Sequence, residues 1–272
     1  MLIAFFGGFL IALTAAPLGV FLVWNRLSYV ADAFAHAALL AGVFALLCAL
    51  PQGVSFFIFA FLSALLIAAL HHLFKEKEDT LLLLFASGAM SVGLALMHTF
   101  SLSRENVMRF LQGAPQDTDT SIFLCVVALT LCVVIFLLVF WKHLISSVIA
   151  EDVARTEGIA VGALRLFFFI AVFFLVLLGV KWSGALFLSV FFICPLFVVQ
   201  PWTIKPQHLL LASSFFGAFT YMIAFYMWQK TGIALGPTLG ITLITSTVIS
   251  QGVAFVKRWL LARKGLLKHA NA

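Results

Sequence analysis

The sequence is short of charge. Asp, Glu, Lys and Arg make up 10% of its 272 residues, where a water-soluble domain carries about 25%. That shortage excludes a soluble globular domain as the body of the chain. No Gly-x-x-x-x-Gly-Lys-Ser/Thr loop occurs, so the backbone cradle that holds nucleotide phosphates is missing. His-Glu-x-x-His and Gly-x-Ser-x-Gly are missing too, which removes the motifs of a zinc protease and of an α/β-hydrolase. The four cysteines, Cys48, Cys125, Cys132 and Cys194, contain no Cys-x-x-Cys spacing and read as small apolar core side chains. No basic residue precedes the first apolar run, Met1-Leu2-Ile3-Ala4-Phe5-Phe6, so that run reads as a retained span rather than a cleaved leader. There is no histidine-rich loop, no low-complexity segment and no repeat of 20–50 residues.

What fills the space is apolar: 64% of the residues are hydrophobic, and 31 are Phe. The composition predicts an all-α polytopic membrane protein, a bundle of about eight to nine transmembrane helices. About nine spans of about 20 residues use up the length, so residues 1–272 form a single membrane domain. The spacing of apolar runs places spans at 2–24, 29–50, 54–74, 81–99, 122–141, 166–180, 183–199, 209–228 and 238–259. A re-entrant segment would change that count by one. Pro17 and Gly19 interrupt the first span and predict a kink. The small residues Ala86, Ser87, Gly88, Ala89, Ser91 and Gly93 let the fourth span approach a neighbour closely. The sixth, nearly pure Phe, Val and Leu, is expected to face lipid. Pro195 leaves a carbonyl unpaired in the middle of the seventh, which protein or a wet cavity must cover. Pro237 sits where the first residue of a helix favours proline. Residues 51–53 read as a tight turn, 75–79 as the densest charge cluster, and 107–113 as a short helix closed by Gly113.

The net charge of +6 belongs to loops and does not signal nucleic acid. With the C-terminus in the cytoplasm and the N-terminus outside, twelve of the sixteen basic residues lie inside: Arg26, Lys75, Lys77, Lys142, Arg155, Arg165, Lys205 and the five of the tail. That asymmetry sets the orientation.

Two stretches carry chemistry. Asp32 and His36 stand four residues apart near the start of the second span, hence on one helix face. Ionisable groups in a bilayer are costly and mark functional sites. This pair can bind a divalent cation, relay a proton, or simply staple two helices, and carboxylate oxygen and imidazole nitrogen are ligands of zinc, manganese and iron. The small flanking residues, Ala31, Ala33, Ala35, Ala37, Ala38 and Gly42, leave room for a channel. The depth of the pair depends on whether residues 25–29 are a true loop. The other histidines carry less: His71 and His72 close a span, His98 stands near an outer mouth, and His143, His208 and His269 adjoin polar segments. The second stretch is 145–162, where Ile145, Val148, Ile149 and Val153 recur at near-helical spacing with Glu151, Asp152 and Arg155 around them and Gly158 as a C-cap. A short acidic amphipathic helix between spans suits a protein partner better than a lipid surface.

Several segments together resemble the zinc/manganese/iron family of ABC-importer permeases, the ZnuB type. They are the run from Gly19 to Tyr29, Asp32-Ala33-Phe34-Ala35-His36-Ala37, Glu78-Asp79-Thr80, Phe110-Leu111-Gln112-Gly113, the run from Glu151 to Gly158, Ser183-Gly184-Ala185-Leu186-Phe187 with Cys194-Pro195, and Gly236-Pro237-Thr238. The resemblance implies a permease subunit in a bacterial inner membrane that imports a divalent transition metal, zinc first, with manganese or iron as alternatives. It is no enzyme itself. ATP is hydrolysed on separate cytoplasmic ABC ATPase subunits, an extracytoplasmic metal-binding protein delivers the ion, and a second copy of the chain completes a homodimer. No cofactor is held permanently. By resemblance Asp32 and His36 are the cation site, Glu151, Asp152, Ala154 and Gly158 couple to the ATPase, and Gly184, Pro195 and Pro237 belong to the pathway or its gate. Departures from the family pattern, Leu83, Leu84 and Ser87 in span four and Pro195-Leu196-Phe197-Val198 in span seven, bear on the metal rather than on the fold. A proton-coupled secondary carrier using the pair as a relay is the rival reading. An intramembrane metal enzyme lacks a third ligand and a general base.

Overall fold

The computed structural model describes residues 1–48, 78–100 and 109–263, with isolated positions between 54 and 69. The turn at 51–53, most of the span at 54–74 with His71 and His72, the charges at 75–77, the start of the segment at 107–113, and the tail from Lys264 to His269 lie outside the described residues.

Ten α-helices follow one another among the described residues: α1 Leu2–Trp24, α2 Val30–Leu47, α3 Glu78–Thr99, α4 Thr120–Val139, α5 Trp141–Ile149, α6 Glu151–Thr156, α7 Val161–Ser183, α8 Leu188–Val199, α9 Pro206–Thr231 and α10 Leu235–Arg263. Short 3₁₀ turns stand at Pro115–Asp117 and Gln200–Trp202. Among the described residues six helices are long and apolar enough to cross a membrane, the all-α polytopic bundle that the composition predicts.

Helix α1 is the axis. It packs against α4, α7, α8 and α9, and from Ile11 to Leu22 all but one of its residues are buried. Small residues make this crowding possible. A Cβ on Gly19 would fall onto the Phe192 carbonyl of α8, and Cβ atoms on Gly7 and Gly8 would strike the rings of Trp182 and Tyr221. Those two side chains, both buried, donate to one acceptor: Trp182 Nε1 and Tyr221 Oη bond the Ala4 carbonyl at 2.7 and 2.9 Å. An unmade bond from a buried donor costs about 1–3 kcal/mol, so α7 and α9 are held to the first turn of α1. Helix α3 packs on α2 through Ala86, Ala89 and Gly93, whereas Ser87, Gly88 and Ser91 face outward. The close approach read from these small residues therefore uses half of them.

Three expectations shift. The sixth span is not lipid-facing: α7 buries Phe168, Phe169, Val172, Phe173 and everything from Leu175 to Val180. Lipid and protein interior are equally apolar, so composition does not tell them apart. Its ends extend past 166–180 to Val161–Ser183. The seventh span is not one helix. Ser183 closes α7, residues 184–187 turn, and α8 has 12 residues, about 18 Å at 1.5 Å per residue against a core of about 30 Å. Among the cysteines, Cys125 and Cys194 are half-buried, while Cys48 and Cys132 are exposed.

Candidate functional site

The α1–α2 turn sets the position of Asp32 and His36. The Leu27 amide donates to the Leu22 carbonyl at 2.8 Å and the Arg26 amide to that of Val23 at 3.0 Å, the paired 6→1 and 5→2 bonds that end a helix when its next residue is left-handed. Glycine ordinarily takes that place. Here it is Arg26, with φ of 61°, at a steric cost of roughly 1–2 kcal/mol. Asn25 Nδ2 caps the Phe21 carbonyl at 2.8 Å, and the Val30 amide bonds the Leu27 carbonyl at 3.1 Å. The link is thus a tight turn, and Asp32 and His36 fall in the first two turns of α2, roughly 3–9 Å along its axis.

The back of α2 is anchored. Phe34 is buried edge-to-face against Phe173 at 4.5 Å, and Ala31, Ala33, Ala35, Ala37 and Ala38 are buried. Asp32 and His36 stay on the open side, with side chains 30% and 24% exposed. His36 Nε2 lies 3.6 Å from Asp32 Oδ2, beyond hydrogen-bond length, so the two do not consume each other. Two ligands about 2.1 Å from one zinc ion at the tetrahedral angle stand about 3.4 Å apart. The separation of the pair is close to that of two ligands of one ion. Among the described residues no group of three or more His, Cys, Asp or Glu could hold a metal. Burial and the nearby Asp32 carboxylate raise the Tyr29 phenol above its ordinary range, which keeps it a neutral hydroxyl.

The segment 145–162 is two helices, α5 and α6, broken at Ala150, whose φ of −153° and ψ of 92° are extended. The break has a cause in sequence: Glu151 and Asp152 stand in the first turn of α6, where acidic groups favour a new helix start. Gly158 closes α6 as expected. Its φ is 81°, its amide bonds the Arg155 carbonyl, and the Ile159 amide bonds that of Ala154, both at 3.1 Å. Arg155 pairs with Glu151 at 2.7 Å. Asp152, Val153 and Thr156 are exposed, but Ala154 is fully buried, so it seats the helix rather than offering a contact.

Gly184 and Pro237 lie at the other end of the bundle, where three backbones cross. The Ala185 amide bonds the Phe110 carbonyl at 3.1 Å, Leu186 that of Leu111 at 3.4 Å, and Ala114 that of Lys181 at 2.8 Å. Gly184 has φ of 75° and ψ of 160°, a region open essentially to glycine alone. A Cβ there would lie 2.6 Å from the Gln112 carbonyl carbon; one on Gly113 would lie 2.8 Å from the Gly184 nitrogen; one on Gly236 would lie 2.6 Å from the Gln112 oxygen. Pro237 is the third residue of α10 rather than its first, still in the turn whose amides need no partner. Pro195 is buried inside α8, facing Gly217 of α9. Below it α10 ties down the end of α8: Gln251 Nε2 bonds the Phe197 carbonyl and Ser250 Oγ that of Val198, each at 2.6 Å.

The structure does not gather these residues into one site. Asp32 and His36 stand near the last turn of α1, while Gly184 and Pro237 stand near its first, about 34 Å away along a 23-residue helix. Sequence reasoning missed Arg26, Trp182 and Tyr221. A left-handed arginine leaves no sequence signal, and nothing local marks either aromatic as a buried donor to a distant carbonyl.

The family model described as "ABC 3 transport family" matches residues 1–255. The chain is 25% identical over 205 residues to the high-affinity zinc uptake system membrane protein ZnuB of Buchnera aphidicola subsp. Acyrthosiphon pisum (strain APS), covering 75% of this chain and 78% of the relative. It is 22% identical over 261 residues to the manganese transport system membrane protein MntC of Listeria innocua serovar 6a, covering 91% and 90%. Among solved structures, PsaBC from Streptococcus pneumoniae in complex with Fab superposes with a TM-score of 0.81 at 18% identity, over 91% of this chain and 89% of that one, a likeness of fold.

Proposed function

The chain belongs to the ABC 3 transport family, and from that premise we propose that it is the membrane-spanning permease subunit of an ATP-driven importer of a divalent transition metal, zinc first. It is a multi-pass protein of the inner membrane, with six helices of spanning length and composition among the described residues. In this reading ATP hydrolysis takes place on separate cytoplasmic ABC ATPase subunits, since this sequence holds no phosphate loop. A metal-binding protein delivers the ion from outside, and a second copy of the chain forms the other half of the permease.

The observation that carries the proposal is the open Asp32/His36 pair, 3.6 Å apart on one helix face, in a chain whose curated relatives include a zinc uptake membrane protein. Transport needs transient binding. Two protein ligands, with water or the second copy completing the shell, hold a cation less tightly than a closed four-ligand site. The acidic, exposed faces of Glu151 and Asp152 on α6 supply the ATPase contact, and Ala154 and Gly158 fix the shape of that contact. Gly184, Pro195 and Pro237 act as rigid frame around the pathway. Motion of the ATPases reaches α2 through α5, α6 and the α1–α2 turn and opens the pair to one side.

Growth of a metal-importer deletion strain on limiting zinc tests the reading. The wild-type chain with its ATPase restores growth, and Asp32→Ala does not, although it reaches the membrane in equal amount. Rescue by Asp32→Ala at the wild-type rate sinks the site. Restoration by manganese or iron alone, rather than zinc, moves the cargo to those metals, and the likeness to a manganese system membrane protein gives that variant of the reading a footing. Uptake without any ATPase favours the proton-coupled carrier.

A further inference from the structure

Helix α8 is held differently at its two ends. Its start leaves the 184–187 turn, where the Ala185 and Leu186 amides bond the Phe110 and Leu111 carbonyls and the Phe187 ring fills the space beside Gly236 and Gly240. Its end rests largely on side chains. The last carbonyls of a helix have no partner within it. Here the Gln200 amide takes that of Leu196 and the Thr203 hydroxyl that of Val199 at 3.1 Å. Helix α10 takes the two between: Gln251 Nε2 donates to the Phe197 carbonyl and Ser250 Oγ to that of Val198. Trp202 Nε1 donates in turn to Ser250 Oγ at 2.8 Å, and the Lys257 ammonium stands 5.3 Å from the centre of the Trp202 ring. We propose that Ser250 and Gln251 are the latch of a cytoplasmic gate whose moving part is the end of α8, from Leu196 to Trp202.

Depth places this end of α8 at the pathway. Leu188 and Ile11 meet at Gly179, and Phe192 meets Gly19 farther on, so α8 and α1 run parallel. From that contact Val199 is about 10 Å along α8, and Trp24 is about 8 Å along α1. The end of α8 therefore reaches the depth of the α1–α2 turn and of Asp32 and His36, and α8 packs on α2 as well as on α1.

The bonds that hold it can be exchanged at little loss. Thr238, Thr242, Ser246 and Thr247 of α10 donate to the carbonyl four residues back, the ordinary habit of helical hydroxyls. Ser250 departs from it and reaches across to α8. Turned back, it would meet the Ser246 carbonyl. Gln251 is exposed and Trp202 is 49% exposed, so water replaces the partners they give up. Exposed bonds of this kind mark the parts of a fold that open at low cost. The far end of the bundle offers no such exchange, because Trp182 and Tyr221 are buried donors that would be left unpaired. One end is fixed and the other releases. Pro195, seated against Gly217, is the last fixed residue of α8. Two positions of the turn beyond it suffice to close or open one side of the pair. The proposal deepens the importer reading, which supplies its orientation and its cargo.

A thiol at position 199 reports the latch. The full chain in mild detergent, with its four cysteines replaced by serine and Val199→Cys added, is treated with the charged reagent sulfonatoethyl methanethiosulfonate. Val199 is buried, so the reaction is slow. Ser250→Ala with Gln251→Ala speeds it at least about fivefold. Ser250→Thr, which keeps the hydroxyl, leaves it slow. Val176→Cys, also buried but in α7, reacts at one rate in every background. An unchanged rate at 199 in the double alanine variant overturns the proposal. An equal rise at 176 is general loosening and overturns it too, as does Ser250→Thr reacting as fast as the alanine pair. In proteoliposomes with the ATPase, the double alanine variant carries at least about fivefold less zinc per ATP hydrolysed, while hydrolysis continues. An unchanged ratio beside a faster thiol shows a loose turn that gates nothing, and overturns the gate. Absence of uptake by the wild type overturns the importer reading instead. The thiol rates need neither metal nor ATP, so the two failures are distinguishable.

Discussion

Replacing Gly184 by alanine separates backbone geometry from mere loss of space, because Gly158 provides a matched control. Both glycines have positive φ, 75° and 81°. A Cβ on Gly158 meets nothing within 4 Å, so Gly158→Ala carries only the left-handed penalty, roughly 1–2 kcal/mol. Gly184 differs twice over. Its ψ of 160° puts it in a region that side chains avoid, at roughly 1–3 kcal/mol. Its new methyl would also lie 2.6 Å from the Gln112 carbonyl carbon, with the Leu111 carbonyl closer still. Those are backbone atoms held by the Ala185 and Leu186 hydrogen bonds, and overpacking of that kind adds about 1–3 kcal/mol. The expected total is roughly 2–6 kcal/mol. At about 2–4 °C per kcal/mol for a chain near this size, Gly184→Ala melts roughly 4–24 °C below wild type and Gly158→Ala roughly 2–8 °C below it. Thermal unfolding of the three purified chains in one detergent reads both shifts. If Gly184→Ala melts level with Gly158→Ala or above it, the three-backbone crossing is not a rigid joint and the reasoning fails.

Gly19→Ala drives a methyl into the Phe192 carbonyl and should cost about 3 kcal/mol or more, whereas Gly252→Ala, in an open stretch of α10, should raise stability by roughly 0.5–1 kcal/mol; thermal unfolding gives both signs. Trp182→Phe and Tyr221→Phe each remove one of two donors on the Ala4 carbonyl and should lower stability by about 0.5–1.5 kcal/mol, while the double variant should be worse than the sum because the donors share an acceptor. Arg155→Ala breaks an exposed pair, with side chains 60% and 43% exposed, and should change stability by no more than about 0.5 kcal/mol. A drop in ATPase stimulation with unchanged melting would then place Arg155 and Glu151 in the partner contact, and unchanged stimulation would take them out of it.

The bundle was legible because lipid leaves few options. Long apolar runs with charges at their ends become helices, and α1 spans the residues read from the sequence, 2–24. Asp32 and His36 were legible for the same reason, as rare charges in an apolar helix on one face. Burial was not legible. The Phe-rich α7 looks identical to a lipid-facing span until its neighbours are known. The shortness of α8 was hidden as well, since the turn at 184–187 is made by Gly184 packing on a distant segment at Leu111 and Gln112, a contact with no local signature. Gly113, Gly184 and Gly236 each read as a cap, a pathway residue or part of a motif, and only the fold shows them meeting. Ala150 broke the segment 145–162 in two where hydrophobic spacing alone ran through, and the acidic pair that follows it was the available clue.

The central claim is that an ATP-driven permease passes a metal ion over Asp32 and His36. ATP-dependent accumulation of radiolabelled zinc in proteoliposomes that contain this chain and its ATPase tests it directly. The account predicts uptake by the wild type that stops without ATP, and loss of uptake in Asp32→Ala and His36→Ala while ATP hydrolysis and assembly persist. Wild-type accumulation by both variants would contradict it.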